Sequence, residues 1–139
     1  MKTAINVLLD LKALLEGSLF AKSLNGDIFF EETRPKNSKK EDLVLVFTQG
    51  FSHQVERGTV TILAYVADIP TDGGNTIPHL KRIKEVEEQA VIWVNGLRGG
   101  KSGSYLFQLA QAISHYPQPE IKQHFVSIKL DYKYFDGAY

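Results

Sequence analysis

The sequence predicts an α+β fold in a single domain, ending in a β-hairpin, and three observations lead there. Apolar residues recur at helical spacing in two separate stretches, near the N-terminus and again after residue 76. Two further stretches, 59–69 and 124–134, alternate from side to side as strands do. Turn-forming residues punctuate the chain between these segments, as in PTDGGN and HYPQPE. A chain of 139 residues has room for one core and not for two full ones. Chains of this size remove roughly 68–70% of their unfolded surface from water, enough for a core without staples.

From Thr3 to Leu15 the residues Ala4, Ile5, Leu8, Leu11 and Leu15 share a helical face, with Val7 and Leu14 beside it and Gly17 as a stop. Asp10, Lys12 and Glu16 interrupt the apolar run, which therefore fits an amphipathic helix better than a signal peptide. DIFFEET, Asp27 to Thr33, predicts a short strand ended by Arg34-Pro35. KNSKKED, Lys36 to Asp42, predicts an exposed loop, and LVLVFT, Leu43 to Thr48, a buried strand. Gly50 to Gly58 carries turn signals.

Thr59 to Ile69 is the clearest strand: Val60, Ile62, Ala64 and Val66 line one face, Thr61, Leu63, Tyr65 and Ala67 the other. Both faces are largely apolar, so cover is expected on both sides, from helices or from a neighbouring subunit. After the PTDGGN turn, Asn75 or Thr76 is the expected cap of a helix with Pro78 in its first turn. Leu80, Ile83, Ala90, Val91 and Val94 form its apolar face and carry it to about Leu97. Tyr105 to Ser114 fits either period, with a terminal strand pair favoured. In the last strand Phe125, Ser127, Lys129, Asp131 and Lys133 alternate with Val126, Ile128, Leu130, Tyr132 and Tyr134.

Sixteen basic and sixteen acidic residues leave no net charge, so there is no global footprint for nucleic acid or membrane. A neutral protein has little long-range repulsion between copies, which permits self-assembly. The absence of cysteine excludes disulfides, thiolate metal sites and cysteine nucleophiles. No run approaches the ~18 apolar residues of a membrane span.

The stretch NGLRGGKS, Asn95 to Ser102, approximates a phosphate-binding loop, in which glycine amides cradle phosphates and a lysine reaches the terminal ones. Asn95 stands where the first glycine belongs, and the preceding HLKRIKEVEEQAVIWV has helical periodicity where a strand is required. The remainder of the chain is too short for the usual parallel sheet, and no strand ends in a clear magnesium-binding acid. The simpler reading is a helix end capped by Gly96 and a basic loop. Nucleotide or polyanion binding through Arg98, Lys101 and Ser102 is the competing function.

Other chemistries find little support. His53, His79, His115 and His124 include no helical metal pair; the first three suit the surface and His124 a strand edge. Asp68, Asp72 and Asn75 match no EF-hand pattern. Glu31 and Glu32 are adjacent on the expected strand and so face opposite sides, which does not make an acid–base pair. No G-x-S-x-G elbow occurs. An enzyme is disfavoured, and no cofactor or metal is expected.

The element order, with IFFEETRPKNSKKEDLVLVF (Ile28 to Phe47), GTVTILAYVADIP (Gly58 to Pro70) and HFVSIKLDYKY (His124 to Tyr134), resembles lambda-type phage tail terminators and related minor tail, or tail-completion, proteins. The resemblance is one of pattern over most of the chain, without an invariant motif, and does not cover the glycine-rich stretch. It implies a twisted, mainly antiparallel sheet flanked by two helices. It also implies a non-enzymatic virion protein, made in the bacterial host cytoplasm, forming a ring, commonly a hexamer. Such a ring stops tail-tube growth and meets the head connector or stopper; terminator and stopper both fit. Arg34, Lys36, Lys39 and Lys40 in the charged loop, with Arg98 and Lys101, are the expected assembly or partner-docking residues. Tail-tube protein, connector and further copies of the chain are the expected partners, with no membrane and no specific nucleic acid.

Overall fold

The computed structural model describes residues 2–51, 56–97 and 105–135. The fold is α+β, with three helices on one face of a mainly antiparallel sheet. Helix α1 (Ala4–Leu15) starts at Thr3, whose hydroxyl accepts the Asn6 amide at 3.4 Å. It buries Leu8, Leu11 and Leu15 as expected, with Val7 beside them, whereas Ala4 and Ile5, expected on the same face, are exposed. A short helix, α2 (Leu19–Lys22), follows a Ser18 cap and places Phe20 against Trp93 with ring centroids 6.0 Å apart.

Strand β1 (Ile28–Phe30) is shorter than the sequence suggests and pairs parallel to β2 (Leu43–Phe51). Strands β2 and β3 (Glu56–Ala67) are antiparallel and run longer than expected. Gly50 and Gly58, expected in a turn, face each other in this ladder. A two-stranded element, β4 (Ile69–Pro70) with β5 (Thr76–Ile77), flanks a turn in which Gly73 and Gly74 have positive φ.

Helix α3 (Leu80–Gly96) begins later than predicted. The Asn75 carbonyl accepts both the amide and the hydroxyl of Thr71, and Thr76 pairs with Pro70. Asn75 and Thr76 are thereby held in the turn and strand, Pro78 lies before the helix, and His79 is the cap. Its Nδ1 accepts the Arg82 amide at 3.4 Å. Ile83, Val86, Ala90 and Val94 are buried, whereas Leu80 and Val91 are exposed.

The ambiguous stretch after residue 104 is strand. β6 (Tyr105–Leu109) and β7 (Ser114–Gln118) both pair antiparallel with β8 (Gln123–Tyr134), along its second and first halves. They form one interrupted edge, where residues 110–113 lie opposite Ile128 and Lys129. The sheet order is β1-β2-β3-β8-β6, with β7 also on β8, so β8 is central and His124 does not sit on an edge strand.

β3 and β8 pair without interruption from Glu56 opposite Tyr134 to Ala67 opposite Gln123. Their regular alternation puts Val60, Ile62, Ala64, Val66, Val126, Ile128 and Leu130 under the helices, all sealed from solvent. Each large side chain buried this way contributes about 1.5–3 kcal/mol. An aromatic group of Tyr105, Phe107, Tyr132 and Tyr134 continues the core toward β6. The Tyr105 hydroxyl donates to Asp10 at 2.6 Å, joining α1 to that strand. Burial, then the Asp10 carboxylate, push the Tyr105 phenol well above its usual pKa. No described helix is long and apolar enough to cross a membrane.

Gly58 is held by packing. A Cβ there would meet the Gln49 carbonyl oxygen, and would lie 2.8 Å from both the Gly50 Cα and the Tyr132 ring. Gly58→Ala is expected to destabilise the fold by about 1–3 kcal/mol, read as a lower urea midpoint. An unchanged midpoint would show that the β2–β3 ladder can open at no cost.

Candidate assembly surface

The helices cover one face of the sheet. The opposite face carries Val44, Val46, Thr59, Thr61, Leu63, Tyr65, Phe125, Ser127, Lys129 and Asp131, as the registers of β2, β3 and β8 require. At one end the charged loop, residues 31–42, folds onto this face.

That loop is tied down by a buried ion pair. Arg34 Nε donates to Asp42 Oδ2 at 2.8 Å, and the Asp42 side chain is 1% exposed. The Ser38 hydroxyl donates to the same oxygen at 2.6 Å, and the Asp27 amide to Oδ1 at 2.9 Å. Arg34 Nη2 reaches the Lys40 carbonyl and Gln123 Oε1, both at 3.0 Å, while Gln123 Nε2 donates to the Ser38 carbonyl at 2.8 Å. The guanidinium lies 3.9 Å from the centre of the Tyr65 ring. Burial works to raise the Asp42 pKa, but the Ser38 hydroxyl, the Asp27 amide and Arg34 outweigh it and hold the carboxyl below its usual range.

Beyond the loop, an aromatic row of Tyr65, Phe125 and Tyr116 crosses β3, β8 and β7, with neighbouring centroids 5.8 Å apart. At the other end a β-bulge between Phe47 and Gln49 changes which face β2 presents. Leu43, Leu45 and Phe47 point to the helices; uninterrupted alternation would send Phe51 there too. The extra residue turns Gln49 and Phe51 onto the open face instead, and Thr48 lies 3.0 Å from Thr61, hydroxyl to hydroxyl.

Two cross-strand rows result. Phe51, Arg57, Lys133 and Leu106 form one; Gln49, Thr59, Asp131 and Gln108 form the other. They line a groove of about 300 Å³, walled by Phe51 (49% exposed) and Leu106 (47% exposed). Arg57 and Lys133 are directly opposed like charges, a destabilising arrangement. Among the described residues neither has an ion-pair partner. Asp131 in the next row accepts the Thr59 hydroxyl at 2.9 Å.

The residues expected to dock partners divide accordingly. Arg34 is a structural clamp, its charge spent inside the chain. Lys36, Lys39 and Lys40 are exposed on the loop that it holds. Arg98, Lys101 and the rest of 98–104 lie outside the described residues, as does His53. The flanks of the glycine-rich stretch are nevertheless clear. Asn95 and Gly96 are helical, Leu97 is the C-cap, and the next described element is strand β6. Gly96 is therefore the last helical residue and not a left-handed cap. A phosphate here would meet the carbonyl, partially negative end of α3, the reverse of an anion site.

Asp68, considered for calcium, shares a 2.6 Å hydrogen bond with His124 Nδ1 and accepts the Thr76 hydroxyl. His115 Nδ1 lies 3.2 Å from Glu87. Among the described residues no group of three or more acidic, histidine or cysteine side chains is arranged to hold a metal. The groove was not foreseen, because only the bulge brings Phe51 beside Arg57, Lys133 and Leu106.

No protein-family model matches the chain. No curated protein matches it. Among solved structures, one known only by a serial designation is similar over 98% of this chain and 96% of its own, at 14% identity and TM-score 0.49.

Removing the loop's anchor tests its role. Asp42→Ala leaves Arg34 buried and unpaired, a change expected to cost about 3–5 kcal/mol in urea denaturation at neutral pH. Because the folded carboxyl titrates below its unfolded value of about 3.9, its contribution is complete above that pH and fades as pH falls through the folded pKa. The stability gap between wild type and Asp42→Asn is thus expected to narrow on acidification below about pH 4. A pH-independent gap would contradict a charged Asp42.

Proposed function

We propose that this chain is a structural phage protein, a tail terminator or tail-completion subunit that forms a ring, ends tail-tube growth and joins the tail to the head connector. The resemblance in the strand and loop segments suggests the class. The observation that carries self-assembly is the unequal cover of the sheet. Its helical face is sealed within one chain, while Val46, Leu63 and Phe125 remain partly open on the other face, beside the Phe51–Leu106 groove.

Apolar surface of this kind is worth roughly 25 cal/mol per Å² when covered, less the cost of association. Closed rotational symmetry needs two different patches that fit each other. The uncovered end of the open face and the exposed lysines of the 36–40 loop are different patches, so one can meet a further copy and the other a partner. The reading assigns the protein no catalytic step and no cofactor.

Sedimentation velocity over a range of protein concentrations, with negative-stain imaging, is expected to show closed rings of one size. Mixed with tail-tube subunits of its own phage, the protein is expected to halt tube extension. A monomer at every concentration would overturn the ring, and unchanged tube lengths would overturn the terminator role.

A further inference from the structure

The groove has a complement elsewhere on the chain. Strand β1 ends in a turn closed by the Thr33 amide and hydroxyl, which both donate to the Phe30 carbonyl. Its third residue, Glu32, has φ of 69°, where glycine or asparagine is the ordinary choice. A side chain with a Cβ is strained in that conformation. Both Glu31 and Glu32 are exposed, and neither makes an ion pair among the described residues.

Among the described residues two like-charged pairs, of opposite sign to one another, thus stand without ion-pair partners. One is the opposed cations Arg57 and Lys133 in an apolar-walled groove that Asp131 also lines; the other is the exposed carboxylates of Glu31 and Glu32 beyond β1, an edge of the sheet. Strands β2 and β3 separate β1 from β8, so a single chain does not bring the turn onto the groove. We propose that a second copy of this chain docks its Glu31–Glu32 turn into the groove, its carboxylates neutralising Arg57 and Lys133 between Phe51 and Leu106. Turn and groove are different patches, so the contact is head-to-tail and propagates from copy to copy, as a ring requires. This assignment rests on the ring reading and gives it a specific interface. Charge complementarity between the two unpaired sets chooses a second copy over other occupants.

The chain lacks cysteine, so introduced thiols report without background. Glu32→Cys and Lys133→Cys variants, mixed under mild oxidation, are expected to give a disulfide-linked dimer, while each alone stays predominantly monomeric on a non-reducing gel. The double variant is expected to give a ladder ending at the ring. Glu32→Cys linking to itself as fast as to Lys133→Cys would overturn the pairing, as would no cross-link in the mixture. Wild-type sedimentation separates the two readings. Oligomers without cross-links sink this interface and leave the ring; monomers throughout, with no cross-link, sink both.

Discussion

The structure depends on the uninterrupted ladder between β3 and β8. Because every residue from Glu56 to Ala67 has a fixed partner, one face of these strands is committed to the helices and the other is excluded from them. A slip of one residue would exchange Ile62 and Ile128 for Thr61 and Lys129 under α1 and α3. The remainder of the fold attaches to this spine: β2 adds to one side, β6 and β7 to the other, and the helices close the single apolar layer.

A one-sided sheet leaves its second face to be managed, and the chain does so unevenly. At one end it uses the loop held by Arg34 and Asp42. Such a buried pair is weak evidence of stability in itself, since taking both ions from water is costly. Its geometric effect is firmer: six hydrogen bonds converge on the two side chains, and the loop is held against Tyr65 and Gln123. At the other end nothing comparable is described. There the bulge in β2 adds an aromatic wall to an already open surface.

Periodicity made much of this visible beforehand. The α1 and α3 helices and the alternating faces of β3 and β8 follow from 3.6-residue and two-residue repeats, because burial enforces those repeats, while β2 shows as a short apolar run. What escaped were features set by contacts distant in sequence. Arg34 reads as one more cation in a charged loop until Asp42, Gln123 and Tyr65 are brought around it. Asn75 and Thr76 have helix-cap chemistry, but tertiary pairing with Thr71 and Pro70 outcompetes it. Phe51 sits on the wrong side by simple alternation, because a single-residue bulge leaves no mark in composition. The Tyr105 to Ser114 segment was ambiguous for the same reason: only pairing with β8 decides it.

The break between β6 and β7 bears on how growth is limited. An outer strand normally offers a continuous row of amide and carbonyl groups to any extended chain, the template from which fibrils form. Here four residues crowd opposite two, so an incoming strand that matched β6 would be out of step by the time it reached β7. Backbone templating along this border therefore stalls after about one short strand's length. Any contact made along this border therefore falls to side chains, because a naked hydrogen-bond ladder has no continuous row to follow there.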